Sequence, residues 1–185
     1  DNFGDGNYTG GQATWTVASG IFGFTGFNPT WLYGDSGNTG ELRNQLTSNT
    51  TYPPRGKLTF KTRWTGSTYC AASLLAGSAC SSVEFVNDGT TCYQMLISWE
   101  SGSTYRVSFN RLTGACSYLG SVAIVAGPSM VTYAAGTTYS WEIVSSTGNH
   151  WQIFLDGASV LDAYDSTISA NSARIEAKNS RAFAA

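Results

Sequence analysis

Charged residues, long apolar runs and helical periodicity are all scarce in this sequence of 185 residues. Asp, Glu, Lys and Arg make up 12% of the chain, about half the usual fraction, and the formal net charge is -2. Nucleic-acid binding needs a concentrated basic surface, so we expect no nucleic-acid partner. No apolar run approaches the roughly 20 residues of a membrane helix, so we also expect no membrane insertion.

Histidine and cysteine are rare too, which limits the possible metal sites. His150 is the single histidine, and the four cysteines include no C-x-x-C pair, so a zinc site of ordinary Cys/His spacing is excluded. An even number of cysteines at this composition predicts two disulfides in an oxidising compartment, and therefore a secreted, extracellular or cell-surface protein. Three pairings are possible, and we favour Cys70–Cys80 with Cys92–Cys116.

Glycine, serine, threonine and aromatic residues take the place of the missing charges. The chain has 21 glycines, and aromatic residues make up 14% of it. Turns need glycine, and strand surfaces favour threonine and aromatic residues. This is the composition of an all-β extracellular domain.

Alternation of apolar and polar residues with a period of two recurs along the chain and predicts strands. The clearest examples are KLTFKTRW (57–64), TYRVSFN (104–110) and HWQIFLD (150–156), and the same rhythm is found in CYQMLISW (92–99), TYSWEIVS (138–145) and ARIEAK (173–178). Turn signals separate them, among them AGPS (126–129) and the hairpin connection TGN (147–149). The pattern predicts a single antiparallel β-sandwich or jelly-roll domain over residues 1–185.

Two motifs carry a resemblance to a known architecture. The hairpin HWQIFLDGASV has the form W-x-I-x-L-D-G-x-x-V, and the N-terminal DNFGDGNYTGGQATWTV is similar to the D-[DN]-F-x-D-G-[DN]-[YF]-T-x-x-P-x-W-x-V opening of bacterial secreted modules. Both resemble laminin-G-like, concanavalin-A-like jelly rolls. Ala13 stands where that opening has proline, and the F-D-N closing strand is missing. We expect that strand to be truncated, supplied by another chain or not needed. The resemblance also implies a candidate structural Ca²⁺ site at Asp5 and Asp165.

A second, shorter resemblance concerns catalysis. GELR (40–43) resembles a strand of jelly-roll polysaccharide lyases, which implies that Arg43 neutralises a uronate carboxylate while His150 acts as the base. On this hypothesis Arg43, His150, Lys61, Arg63, Arg106 and several glutamines line one sheet face. The other lyase strands are missing, so His150 is interpreted as a hydrogen-bonded residue at the start of a strand.

Glycoside hydrolysis needs two carboxylates about 5–9 Å apart across a cleft. The E-x-D-x-E strand of jelly-roll glucanases is absent, and Glu84, Glu100 and Glu142 each stand alone on strands. We therefore interpret these three as isolated surface carboxylates.

An aromatic, weakly charged segment is the best candidate for ligand binding. FGFTGFNPTWLYGDSGN (22–38) places Phe27, Trp31, Tyr33 and Asn38 close together in sequence. Aromatic rings stack on the apolar faces of sugars, and amide groups bind sugar hydroxyls. The sequence therefore predicts a non-catalytic carbohydrate-binding, adhesion or surface-assembly module, whose partner is a glycan or a neighbouring surface protein. The alternatives are a polysaccharide lyase and a self-assembling structural subunit of a filament or layer.

Overall fold

The computed structural model describes residues 15–19, 21–24, 32–35, 44–48, 55–63, 78–87, 90–114, 122–168 and 174–179, with side chains for 55–63, 82–86, 90–114, 122–147 and 149–168. Within these ranges the regular structure is β-strand, apart from one turn of 3₁₀ helix at Thr147–Asn149. The strands are β1 (Trp15–Ser19), β2 (Ile21–Phe24), β3 (Leu32–Asp35), β4 (Asn44–Ser48), β5 (Gly56–Arg63), β6 (Ser78–Asn87), β7 (Cys92–Ser101), β8 (Thr104–Leu112), β9 (Val122–Thr132), β10 (Thr138–Ser146), β11 (His150–Leu155), β12 (Ala158–Tyr164) and β13 (Arg174–Asn179).

These strands form two main sheets in which every described pairing is antiparallel. The large sheet has seven strands in the order β1-β4-β13-β6-β7-β8-β9, and the small sheet has four in the order β12-β11-β10-β5. β2 and β3 form a separate pair. One hydrophobic cluster draws residues from both main sheets, so the two sheets pack face to face. The predicted all-β antiparallel sandwich is confirmed.

The period-two segments are confirmed as strands, and where their side chains are described the predicted inner residues are buried or half-buried. Tyr105, Val107 and Phe109 of β8 are at most 3% exposed, and Trp151 and Ile153 of β11 are buried as predicted. In β8 and β11 one face thus packs in the core, and the polar residues lie on the other face.

The turn predicted at AGPS (126–129) is wrong, because this segment lies inside β9. Gly127 has a φ of 98° and the β8–β9 register shifts beside it, so glycine and proline here make an irregular edge strand. The TGN connection is confirmed as a short link, closed by Asn149 at a φ of 59°.

Aromatic side chains fill the middle of the core. Tyr93 of the large sheet contacts Trp151 of the small sheet with ring centroids 4.8 Å apart, and Phe85 stacks on Phe109 at 5.9 Å. Such pairs add about 0.5–1.5 kcal/mol beyond the area that they bury. The indole of Trp141 also satisfies its N–H inside the core, donating to Thr62 Oγ1 at 3.0 Å.

Asp165, directly after β12, connects the two sheets through a polar junction. Tyr93 donates its hydroxyl to Asp165 Oδ1 at 2.6 Å, and an Arg111 guanidinium nitrogen lies 2.5 Å from Oδ2. The Trp151 indole donates to the Asp165 carbonyl at 3.2 Å, and the Thr167 amide donates to Oδ1 at 2.8 Å. We call Tyr93, Arg111, Trp151, Asp165 and Thr167 the Asp165 junction.

The junction changes the acidity of its members. Partial burial alone would raise the pKa of the Asp165 carboxyl, but hydrogen bonds from Tyr93 and Thr167, with the charge of Arg111, lower it overall below its ordinary value. Burial, followed by the hydrogen bond to Asp165, raises the pKa of the Tyr93 hydroxyl. Because the Asp165 pKa is lower in the folded than in the unfolded chain, its ionised form stabilises the fold above the ordinary carboxyl range. That contribution is lost as the pH falls through the lowered pKa.

Asp165→Asn removes the charge that Arg111 faces in this largely buried place. We expect the free energy of unfolding at neutral pH to fall by about 2 kcal/mol. The variant also loses less stability than the native chain on acidification, since one titrating group is gone. Urea unfolding at neutral and acidic pH measures both effects. Asp156→Asn, at an exposed turn where asparagine suits the backbone, is the control, and an equal response of the two variants would contradict the role of the junction.

Gly127→Ala tests the irregular part of β9. A Cβ at position 127 would lie 2.8 Å from the Val107 carbonyl oxygen and 3.1 Å from Leu161 Cδ2. We expect a loss of about 2–4 kcal/mol in unfolding free energy, from this overlap together with the left-handed backbone. Gly157 has a φ of 82° but nothing within 4 Å of the added Cβ, so Gly157→Ala should cost only about 1 kcal/mol. Thermal or urea unfolding of the two variants in parallel decides the matter.

Candidate functional site

The hairpin of β11 and β12 presents a compact polar and aromatic group on the outer face of the small sheet. Asp156 and Gly157 form its two-residue turn, with φ angles of 48° and 82°. Alternation sends Trp151, Ile153, Leu161 and Ala163 into the core. Four of the outer residues, at the end of the hairpin away from its turn, are called the hairpin cluster: His150, Gln152, Asp162 and Tyr164.

A one-residue irregularity brings the hairpin cluster into register. The turn pairs Leu155 with Ala158, and continuing that register without a shift would set Trp151 opposite Asp162. The ladder instead shifts between Ile153 and Phe154, so that His150 pairs with Tyr164. A slip of one residue moves a strand's side chains to the other face, so this shift is what keeps the apolar residues of both strands inside.

Asp162 is the hydrogen-bonding centre of the cluster. His150 Nε2 lies 2.8 Å from Asp162 Oδ1, and Gln152 Nε2 donates to Asp162 Oδ2 at 2.9 Å. The hydrogen bond from His150, and then that from Gln152, lowers the pKa of the Asp162 carboxyl. Asp162 is therefore an ionised acceptor at neutral pH, and each of its oxygens keeps a second lone pair for another donor.

Tyr164 supplies the aromatic surface of the cluster. Its ring lies parallel to the His150 imidazole, with centroids 4.5 Å apart and an interplanar angle of 12°. The residue is nevertheless 72% exposed. One face of the phenol ring is covered by the imidazole, and the rest of the side chain is largely open to solvent.

The chain entering β11 is held in place from outside the hairpin. Arg55, just before β5, donates to the Ser146 carbonyl at 2.8 Å and also to the side chain of Asn149. The Asn149 carbonyl in turn accepts from the Asp165 amide at 3.0 Å. These contacts hold the backbone directly before His150 and directly after Tyr164.

A second polar group lies on the large sheet, where it is buried. Glu84 and Gln94 are 0% exposed and Asn110 is 2% exposed, although their strand neighbours point to the core. Asn110 Nδ2 donates to Gln94 Oε1 at 3.1 Å, and Gln94 Nε2 donates to Glu84 Oε1 at 3.3 Å. The row ties β6, β7 and β8 together, and the interpretation of Glu84 as a surface carboxylate is wrong.

The other two carboxylates are paired with cations of neighbouring strands. Glu142 lies 2.6 Å from the Lys57 ammonium on the small sheet, and Glu100 forms an ion pair with Arg106 on the large sheet. They are surface groups as predicted, but they are not isolated.

The face that the lyase hypothesis requires is not formed as predicted. His150 and Lys61 belong to strands of the small sheet, whereas Arg106 and Gln94 belong to the large sheet. These groups therefore cannot line one sheet face, because a sheet places its own strands side by side. Arg43 lies outside the described residues, so its pairing with His150 stays a prediction.

The predicted aromatic site is largely outside the described chain. Phe27, Trp31 and Asn38 are not described, and Tyr33 is described only as a backbone position of β3 paired with Gly23. The ligand-binding role of these four residues stays a prediction.

The calcium and disulfide predictions are in a similar position. Asp5 is not described, and the described Asp165 has protein donors on both carboxylate oxygens. The described residues contain no group of three or more His, Cys, Asp or Glu side chains suited to a metal ion. Cys92 is disulfide-bonded, but its partner's side chain is not described, so the number of disulfides and their pairing stay predictions.

Over the described ranges, no helix has the length and apolar character needed to cross a bilayer.

Comparison with known proteins identifies the fold. No protein-family model and no curated protein matches the chain. Among solved structures, the carbohydrate-binding module CBM66 from Bacillus subtilis is 15% identical with a TM-score of 0.58, over 91% of this chain and 90% of that chain. A family 16 endo-glucanase from Bacteroides ovatus, in complex with G4G3G-2F-DNP, is 10% identical with a TM-score of 0.63, over 100% of this chain and 85% of that chain.

A mixed-linkage glucan family 16 protein from the same organism, in complex with a G4G4G3G product, gives similar values. It is 12% identical with a TM-score of 0.62, over 100% of this chain and 85% of that chain. At such identities the likeness concerns the fold alone. The chain is an antiparallel β-sandwich of the concanavalin-A-like jelly-roll type, and the laminin-G-like part of the resemblance stays a prediction.

Proposed function

We propose that this protein is an extracellular, non-catalytic carbohydrate-binding module whose ligand binds at the hairpin cluster. The observation that carries the proposal is the exposed ring of Tyr164, which stacks on the same His150 that hydrogen-bonds the Asp162 carboxylate. A pyranose ring has an apolar C–H face and hydroxyl groups at its edge. The phenol ring stacks on the apolar C–H face, and Asp162 and Gln152 hydrogen-bond the hydroxyl groups.

The rigidity of the cluster supports binding. Tyr164 already rests on His150, and Asp162 is held by two donors, so few side-chain rotamers remain to be lost when a ligand arrives. The backbone beside both residues is fixed by Arg55 and the Asp165 junction. A sugar that stacks on Tyr164 therefore meets a preformed surface.

The names of the structural neighbours agree with a glycan ligand. One neighbour is named a carbohydrate-binding module, and two others were solved with glucan-derived ligands. For this chain they support the fold on which such a site is built, and the ligand itself is our proposal. An extracellular location is supported by the disulfide at Cys92 and by the low content of charge.

A hydrolytic function has one observation in its favour. The backbone of β13 pairs Glu176 directly with Glu84 of β6. Directly opposed residues have Cβ atoms about 4.5–5.5 Å apart, close to the carboxyl separation in retaining glycosidases. Glu84, however, is 0% exposed and accepts from Gln94, so substrate does not reach it in this structure. The non-catalytic function is therefore favoured.

Tyr164→Ala should raise the dissociation constant for the bound glycan about tenfold or more, because the stacking surface is removed. Tyr164→Phe keeps the ring and should stay within about twofold of the native value. The glycan is first found with an array of plant, fungal and bacterial polysaccharides, and the constants are measured by calorimetry or affinity electrophoresis. Met130→Ala, at an exposed site on the other sheet, is the control for nonspecific effects. Indifference of the native protein to every glycan would remove the function, and equal affinity of Tyr164→Ala would remove the site.

The native protein should release no reducing sugar from any glycan that it binds, over prolonged incubation. Glu84→Gln serves as the matched preparation, because it keeps the shape of the side chain. Release by the native protein that Glu84→Gln abolishes would replace the binding function with hydrolysis.

A further inference from the structure

The strand β9 ends the large sheet and is built unlike a protected edge. Within the described residues it pairs with β8 alone. Its eleven residues, VAIVAGPSMVT, contain no charged side chain. Edge strands of soluble proteins are usually short or carry charges that prevent another strand from pairing with them.

Exposed apolar side chains are concentrated on this strand. The described residues have four exposed large hydrophobic side chains, and three of them belong to β9: Val122 at 45%, Ile124 at 65% and Met130 at 56%. Isolated exposed apolar residues need no explanation, but three on one uncharged edge strand do.

Pro128 divides the strand into two parts. Proline has no N–H to offer to another strand, so it blocks pairing around its own position. The uninterrupted part is VAIVA, residues 122–126, which is rich in β-branched residues and exposes Val122 and Ile124. Pairing with an added strand is therefore restricted to this segment.

The charges near the segment indicate which partner fits. Both arginines of the adjacent strand β8 are neutralised within the molecule, Arg111 by Asp165 and Arg106 by Glu100. A charged partner strand would thus find no free opposite charge on β8. A second copy of VAIVA carries no charge. In antiparallel pairing centred on Ile124, Val122 of one copy lies opposite Ala126 of the other, and the two Ile124 residues lie opposite each other.

We propose that residues 122–126 of β9 are a self-association site, at which the edges of two chains pair antiparallel about a two-fold axis and join their large sheets. The exposed Val122 and Ile124 side chains of the two copies then cover each other, and the backbone groups of the two edges hydrogen-bond. The hairpin cluster lies on the small sheet, so this association does not depend on the proposed glycan site.

Sedimentation equilibrium over a wide concentration range tests the proposal on the full chain. The native protein should form dimers as concentration rises, and Ile124→Lys should raise the dimer dissociation constant about tenfold or more, because two ammonium groups would meet at the axis. Thr132→Lys is the matched control: it adds the same charge to an exposed position of β9 beyond Pro128, and it should leave the constant unchanged. Far-ultraviolet circular dichroism confirms that both variants are folded.

A covalent trap provides a second, independent readout. Ile124→Cys should form an intermolecular disulfide on mild oxidation, because the two residues face each other at the axis, whereas Thr132→Cys should not. A native protein that stays monomeric at all concentrations overturns the proposal. Association that Ile124→Lys and Thr132→Lys weaken equally, or that grows without limit into large aggregates, overturns it too.

Discussion

The contact of Tyr93 with Trp151, closed by Asp165, is the constraint on which the rest of this structure depends. The two rings come from different sheets, and each also directs a polar atom to Asp165. Hydrophobic burial is non-directional, so by itself it leaves some freedom in the relative placement of the two sheets. Hydrogen bonds from both sheets to one residue remove that freedom, and they do so at the base of the hairpin that carries the candidate site.

This arrangement separates stability from recognition within a single strand. In β12, Leu161 and Ala163 are buried, while Asp162 and Tyr164, which alternate with them, face outward. The inner residues are constrained by core packing, so they tolerate little change in side-chain volume. The outer residues are free of that constraint and are accessible to solvent and to a ligand. The same alternation on β9 leaves Ile124 outside, where no charge protects it. The site proposed for a glycan and the site proposed for a second chain thus lie on opposite sheets of the same core.

Much of the fold could be predicted from the sequence, because alternation with a period of two is a local signal. It identified β5, β8 and β11 with their correct inner faces, and it placed His150 at the start of a strand. The turn predicted at AGPS was wrong, because glycine and proline occur both in turns and in irregular edge strands. Only pairing with the neighbouring β8 decides between the two. The prediction that His150 and Arg106 line one sheet face was wrong, because the sequence does not show which sheet a strand joins.

The hairpin cluster was within reach of the sequence but was missed. Of its four residues, only His150 was predicted to be hydrogen-bonded on a strand. A two-residue turn at Asp156 and Gly157, continued without a shift, would bury Asp162, and the apolar pattern of β12 forbids this. That conflict alone requires one extra residue in the ladder, and with it His150 faces Tyr164. The buried row of Glu84, Gln94 and Asn110 had no such signal, because the burial of an outer sheet face is not encoded locally.

The succession of Tyr164 and Asp165 along the chain links the surface to the interior. Tyr164 presents its ring to solvent, and the carbonyl of the very next residue accepts the indole N–H of Trp151. A molecule resting on the phenol therefore sits one peptide unit from the hydrogen bond of a buried fluorophore. A displacement of the Tyr164 backbone would therefore change the geometry of that hydrogen bond and the surroundings of the buried indole.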